Sequence, residues 1–236
     1  MLLNNTFTDI IKRDEYIICD YDGVIQQLDV LWVKKAVEHK ELFKDYFDPN
    51  KLANITDVLD RDTYYINTWL LKDRNKPLPP DLLEEFINLY INDVTFYRYC
   101  PFLIMAKALR ELLSLKFVKK VVFLSHLPEG KETADIRKDI QVQKFFGANN
   151  NKVSINVIPS SMNKSEFINT YHPNYTAFID DRSDIIRDVI DNTKSDMKTF
   201  LMPIYNYNIE LRNDKEYLTK CYDKGIQIVG YNNTVI

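Results

Sequence analysis

Tyr16-Ile17-Ile18-Cys19-Asp20-Tyr21-Asp22-Gly23-Val24-Ile25 is the stretch on which the reading of this chain turns. Four residues, Tyr16 to Cys19, form an apolar run that is long enough for one buried strand and too short for most helices. It ends in two carboxylates separated by one residue, with a glycine directly after them. Residues two apart on an extended chain point to the same side, so Asp20 and Asp22 can share a space at the end of the strand. Two carboxylates held close repel one another unless a cation or a shared proton intervenes. A hard divalent ion such as Mg²⁺ suits an oxygen-only site of this kind. An acidic loop that merely leaves a strand is the alternative, and the rest of the chain has to decide.

Outward from this stretch, composition sets bounds. The chain has 236 residues, 45% of them hydrophobic and 28% charged, as expected of a globular chain with one large domain or a core carrying a smaller insert. A net charge of −3 gives no general electrostatic reason to bind nucleic acid. The three cysteines, Cys19, Cys100 and Cys221, are far apart and include no CxxC pair. The apolar residues between Met1 and Ile10 are broken by Asn, Thr and Asp, which does not match a secretory leader. No apolar run reaches membrane-spanning length. The expectation is a reduced cytoplasmic protein with no membrane partner.

Residues 26–97 change character. Leu31–Val37 and Asp81–Ile91 have helical apolar spacing, the second opened by Pro79-Pro80-Asp81, and no strand alternation is evident. This predicts a helical insert rich in aromatics: Trp32, Phe43, Tyr46, Phe47, Tyr64, Tyr65 and Trp69. Most such rings pack within a core, although one or two could stack on a flat ligand. Beyond Pro101 strands and helices alternate. Apolar strands are expected at 119–125, 153–159 and 175–180, with weaker ones near 197–201 and 226–229, and helices at 102–113, 132–146, 164–171 and 184–190. The fold class is therefore α/β, a Rossmann-like parallel sheet with helices on both faces. Residues 1–25 and 98–236 form its core, and a small helical cap, 26–97, is inserted after the first motif. Ligands of such sheets gather beyond the carboxyl ends of the strands, where Asp20 and Asp22, Ser125, and Asp180 with Asp181 are delivered.

Four elements in a fixed order resemble the haloacid-dehalogenase-like hydrolase superfamily: Asp20-Tyr21-Asp22-Gly23-Val24, Ser125 after Val121–Leu124, Lys164 in Met162-Asn163-Lys164-Ser165, and Asp180-Asp181-Arg182-Ser183-Asp184. The insert lies where members with a C1 cap carry theirs. Within the superfamily, Ile179–Asp184, Lys144-Phe145-Phe146-Gly147 and Asn163-Lys164 look closest to the 5'(3')-deoxyribonucleotidase group. That group has threonine then serine at the second motif, whereas Ser125 is followed here by His126.

The resemblance implies a Mg²⁺-dependent phosphomonoesterase. Asp20 would attack phosphorus and Asp22 would act as general acid and base. Ser125 and Lys164 would hold the phosphoryl oxygens, with His126 replacing the second hydroxyl or turning away. Mg²⁺ would bind Asp20, the carbonyl of Asp22 and Asp181, with Asp180 supporting, while Asp184 would hold Lys164 or a metal-bound water. Asp184 is equally a plausible helix cap, and Lys164 or Ser125 taken alone could be a solvated lysine and a capping serine. The implied partner is a small phosphorylated substrate, in the first place a nucleoside monophosphate. Homodimerisation stays open. The alternatives are a phosphatase of the same machinery for a sugar phosphate or a nucleic-acid 3'-phosphate, and a catalytically silent binding protein.

Overall fold

The computed structural model describes residues 16–93, 95–114, 118–127, 133–147, 151–194, 198–201 and 206–223. The strand expected near 226–229 lies outside them. Five strands, β1 (Tyr16–Cys19), β2 (Lys120–Leu127), β3 (Val153–Pro159), β4 (Ala177–Asp180) and β5 (Lys198–Leu201), form one sheet in the order β3-β2-β1-β4-β5. Every neighbouring pair is parallel. The chain steps from β1 outward to β3, then returns to the other side of β1 for β4. That reversal places a crevice between the carboxyl ends of β1 and β4, where such sheets bind ligands.

Between β1 and β2 the chain is helical, as its spacing predicts: α1 (Asp29–Glu38), α2 (Lys40–Phe43), α3 (Pro49–Ala53), a 3-10 helix (Ile55–Asp60), α4 (Ile66–Leu70), α5 (Pro80–Ile91) and α6 (Phe96–Tyr99). Pro80 in the first turn of α5 costs nothing, because its missing N–H has no partner within a helix start. Val33, Ala36, Phe43, Phe47, Val58, Trp69 and Phe86 pack into a cluster of their own. Most of the aromatic richness ends there: Phe43 stacks on Phe47 at 4.8 Å and Trp32 on Phe86 at 5.3 Å. Tyr90, Phe96, Tyr97 and Cys100 instead join the cluster of the sheet.

The way out of the sheet and the way back run side by side. Gln27 N donates to Pro101 O at 3.0 Å and Leu103 N to Ile25 O at 2.9 Å. Gln26, fully buried, donates from Nε2 to the carbonyls of Tyr97 and Cys100 and accepts from the Tyr21 hydroxyl.

After the return, α7 (Ile104–Ser114), α8 (Thr133–Phe146), α9 (Lys164–Tyr171), α10 (Ser183–Asn192), α11 (Ile209–Asn213) and α12 (Lys215–Asp223) follow. The strands alternate cleanly between two cores. Ile17, Cys19, Val121, Phe123, Ala177 and Ile179 face α7 and α8 through Leu109, Leu112, Val142 and Phe146. Ile18, Val122, Leu124 and Phe178 face α9 and α10 through Ile168, Ile186 and Val189. Helices thus cover both faces, which explains why the strands read as nearly unbroken apolar runs.

Candidate active site

Register builds the site. Cys19 lies opposite Ile179, and Asp20 N donates to Ile179 O at 2.7 Å, so Asp20 and Asp180 emerge beside each other from adjacent strands. Both continue the parity of Ile18 and Phe178, toward the face covered by α9 and α10. Lys164, the first residue of α9, lies between them with Nζ 2.7 Å from Asp20 Oδ1 and 2.7 Å from Asp180 Oδ2. A lysine at that position faces the positive end of the helix dipole, so helix stability does not account for it. It is only 2% exposed, far from the solvated lysine that its residue type alone suggests. Burial works against its charge, but the two carboxylates outweigh burial and hold it protonated.

Oxygens of Asp20, Asp180 and Asp181 lie within 4.8 Å of one another, and all three residues are buried. Both oxygens of Asp180 are engaged: Oδ2 by Lys164 and Oδ1 by the Arg182 backbone N–H at 2.9 Å. Asp181 has the opposite parity. Its Oδ2 accepts from the Tyr207 hydroxyl, while its Oδ1 is buried and has no hydrogen-bond partner among the described residues. Burial raises the Asp180 pKa, Lys164 pulls it back and Asp20 pushes it up again, leaving it at about 6. Burial first, then Asp180 and Asp20, drive Asp181 well above the ordinary carboxylate range. Three carboxyl groups against one ammonium would carry excess negative charge in a desolvated place once all were ionised, and protons or a cation must offset it. An oxygen-only donor set, that excess charge and an unpartnered buried carboxylate oxygen fit a hard divalent cation such as Mg²⁺. Asp181 is the better direct ligand, because the oxygens of Asp180 are already used.

Gly23 makes room for this cluster. Its φ is +81°, and a Cβ built on it would lie 2.4 Å from Asp181 Oδ2 and 2.9 Å from its Cγ. Gly23→Ala is therefore expected to strain the backbone by about 1–3 kcal/mol and displace the Asp181 carboxylate. Thermal melting and a divalent-cation titration check this: the variant should melt lower and lose the cation response. Wild-type behaviour in both would show that Asp181 has slack.

The remaining expected residues divide. Ser125, 1% exposed and two residues before the end of β2, donates from Oγ to Asp22 Oδ2 at 3.2 Å. His126 turns aside: its Nε2 donates to the Met162 carbonyl at 2.8 Å. Burial, then the Lys164 charge, lower its pKa, so the ring is neutral at pH 7 and that nitrogen is spent on the loop before α9. It also lines the cavity. Asp184 does not hold Lys164. It is paired with Arg182, whose Nε donates to its Oδ1 at 3.0 Å, because Asp184 sits on the exposed side of α10. The Arg182 guanidinium, for which the sequence alone suggests a structural or solvated role, lies 4.3 Å from the centroid of the Tyr64 ring.

Above the carboxylates is a cavity of about 510 Å³. Asp22, Gly23 and Asp181 line one side, and Trp32, Tyr64, Phe86 and Tyr90 line the other, with Asp29, Arg61, Asn67 and Thr68 as polar groups. Asp20 is not among the lining residues, since its carboxylate is drawn to Lys164. Arg61 and Asp29 form a buried pair at 3.2 Å. The sequence marks neither of them, nor Tyr207 and Asn208. The run 205–208 reads only as a loop at the rim, with nothing in its spacing to separate it from any polar turn.

No family model and no curated protein matches the chain. Among solved structures, it is similar to a haloacid dehalogenase-like family hydrolase from Xanthomonas campestris, at 8% identity and a TM-score of 0.44 over 88% of this chain and 94% of that one. It is also similar to a Thermotoga maritima protein provisionally named a beta-phosphoglucomutase, at 13% identity and a TM-score of 0.39 over 80% of this chain and 85% of that one.

Proposed function

We propose that this chain is a Mg²⁺-dependent phosphomonoesterase of the haloacid-dehalogenase-like type, acting on nucleoside monophosphates in the manner of the 5'(3')-deoxyribonucleotidases. The observation that carries the reading is the junction of Asp20, Asp180 and Asp181 around a buried Lys164 at the carboxyl ends of β1 and β4. A silent binding protein has no physical need for so much mutually repelling buried charge.

Asp20 is the nucleophile. One of its oxygens forms the new bond to phosphorus while the ester P–O bond breaks, giving an aspartyl-phosphate and the free nucleoside. Asp22 delivers a proton to the departing alkoxide, then takes one from the water that hydrolyses the intermediate. Its place on the cavity wall supports that role. Lys164 and Ser125 oppose the charge of the phosphoryl oxygens. Asp20, Asp181 and the Asp22 carbonyl would hold Mg²⁺, which when bound supplies positive charge against the phosphoryl group. Residues 26–97 act as the cap over a core of 1–25 and 98–236, and the cavity between them excludes water from the reaction.

Substrate class follows from the cavity. Its volume of about 510 Å³ exceeds what a phosphate needs and falls in the range of small-molecule sites. Aromatic walls offer faces on which a base can stack, and Asn67 and Thr68 offer donors and acceptors for a polar edge.

The test is a phosphate-release assay over nucleoside monophosphates and sugar phosphates, with and without EDTA. Activity is expected to vanish with EDTA and return with Mg²⁺, and nucleoside monophosphates should exceed sugar phosphates in kcat/KM by at least about tenfold. Turnover that ignores EDTA would remove the metal from the mechanism, and a preference for sugar phosphates would remove the nucleotide.

A further inference from the structure

One short turn late in the chain touches the carboxylate cluster and the helical segment at once. It is the 3-10 turn Asn206–Asn208. On one side the Tyr207 hydroxyl donates to Asp181 Oδ2, and Asn208 Nδ2 donates to the Asp181 carbonyl at 2.6 Å. Asn208, fully buried, also accepts from Ser183 N at 3.1 Å. Side chain and backbone of Asp181 are therefore held by two consecutive residues. On the other side Asn206 Nδ2 donates to Asp60 O at 3.2 Å, and the Arg61 guanidinium lies 4.9 Å from the Tyr207 ring centroid. Tyr64 meets the same ring edge-on at 5.6 Å. Arg61 is itself anchored by Asp29 and by the Val58 carbonyl.

We infer that Tyr207 is a positioning residue for the cation site, and that through it segment 55–65 and a bound divalent cation stabilise one another. This rests on the cluster of Asp20, Asp180 and Asp181 being a metal site. A carboxylate can swing about its terminal torsion and exchange its two oxygens. A hydroxyl donating to Oδ2 stops that swing and presents Oδ1, the buried oxygen without a hydrogen-bond partner among the described residues. Partners that orient a metal ligand in this way are worth about 10–100-fold in affinity. The Tyr207 ring lies under Arg61, so docking of segment 55–65 holds the ring where its hydroxyl reaches Asp181. Coupling of this kind is reciprocal: if docking favours the cation, the cation favours docking by the same factor.

Tyr207→Phe separates the parts, since it keeps the ring and its contacts with Arg61 and Tyr64 and removes only the hydroxyl. The measurements are Mn²⁺ affinity of the full chain, read from the spin-resonance signal of the free ion, and amide hydrogen exchange over 55–65 with and without Mn²⁺. Mn²⁺ shares the preference of Mg²⁺ for carboxylate oxygens. Tyr207→Phe is expected to bind Mn²⁺ about tenfold more weakly than wild type. Mn²⁺ should slow exchange over 55–65 in wild type and not in Tyr207→Phe. Asp181→Asn, which alters the ligand itself, distinguishes the two readings. If it abolishes binding while Tyr207→Phe binds like wild type, the role of Tyr207 is overturned and the site stands. If Asp181→Asn also binds like wild type, or wild type binds no Mn²⁺, the site falls and this inference with it. Exchange over 55–65 that ignores Mn²⁺ in wild type overturns the coupling.

Discussion

Asp20→Asn is expected to lower kcat/KM for an aryl phosphate by about 10⁴-fold or more, the scale seen when a catalytic unit loses its nucleophile. The melting temperature should not fall. An amide keeps the shape of the carboxylate and can still accept from Lys164 through Oδ1, but it cannot attack phosphorus at a useful rate. It also removes one of the charges that push Asp180 and Asp181 upward, so the cluster becomes easier to bury. Activity lost while stability is kept or gained separates a chemical role for Asp20 from a structural one, as expected where function places repelling charges together. Hydrolysis that persists in Asp20→Asn would sink the nucleophile assignment.

Lys164→Ala should do the reverse to the fold. The ammonium is buried against two carboxylates at 2.7 Å each, and removing one partner of a buried ionic group leaves the others uncompensated. A loss of about 3–5 kcal/mol is expected at pH 8 by denaturant unfolding. The pH dependence gives a second check. With Lys164 present the Asp180 pKa is already raised to about 6, and the lysine is what restrains it. Without the lysine it rises further. A carboxyl whose folded pKa exceeds its unfolded one binds more protons in the folded state, so it contributes stability at acidic pH that disappears as pH climbs through the folded value. The variant should therefore be closest to wild type near pH 5 and fall away toward pH 8. A deficit that is flat across this range would mean that packing of the lysine stem, not its charge, matters there.

Much of this arrangement can be read from the chain before any coordinates. Two-sided burial of strands leaves long apolar runs, and each run here ends at the polar residue that the site uses: Asp20, Ser125 and Asp180. The two acids of the pair are separated only in the structure, by parity along the strands. Asp180 takes the side of Lys164 and Asp181 the side of the cavity. What could not be read depends on contacts between distant turns. Tyr207 meets Asp181 across 26 residues of chain, and Arg61 meets Tyr207 from another layer altogether. Neither contact leaves a periodic trace, because turns have no repeating geometry to imprint on sequence. The Ser125-His126 pair shows the same limit in miniature. The substitution is visible, but which way the imidazole points is decided by the Met162 carbonyl on a different loop.

The paired linkers at 25–27 and 101–103 carry a last consequence. Departure and return share a single doorway, clasped by Gln26, so the sheet is blind to the length of the excursion between them. Helices past that threshold that pack only in the outer cluster, such as Lys40–Phe43 and Pro49–Ala53, can therefore be lengthened, trimmed or restyled without retuning a strand.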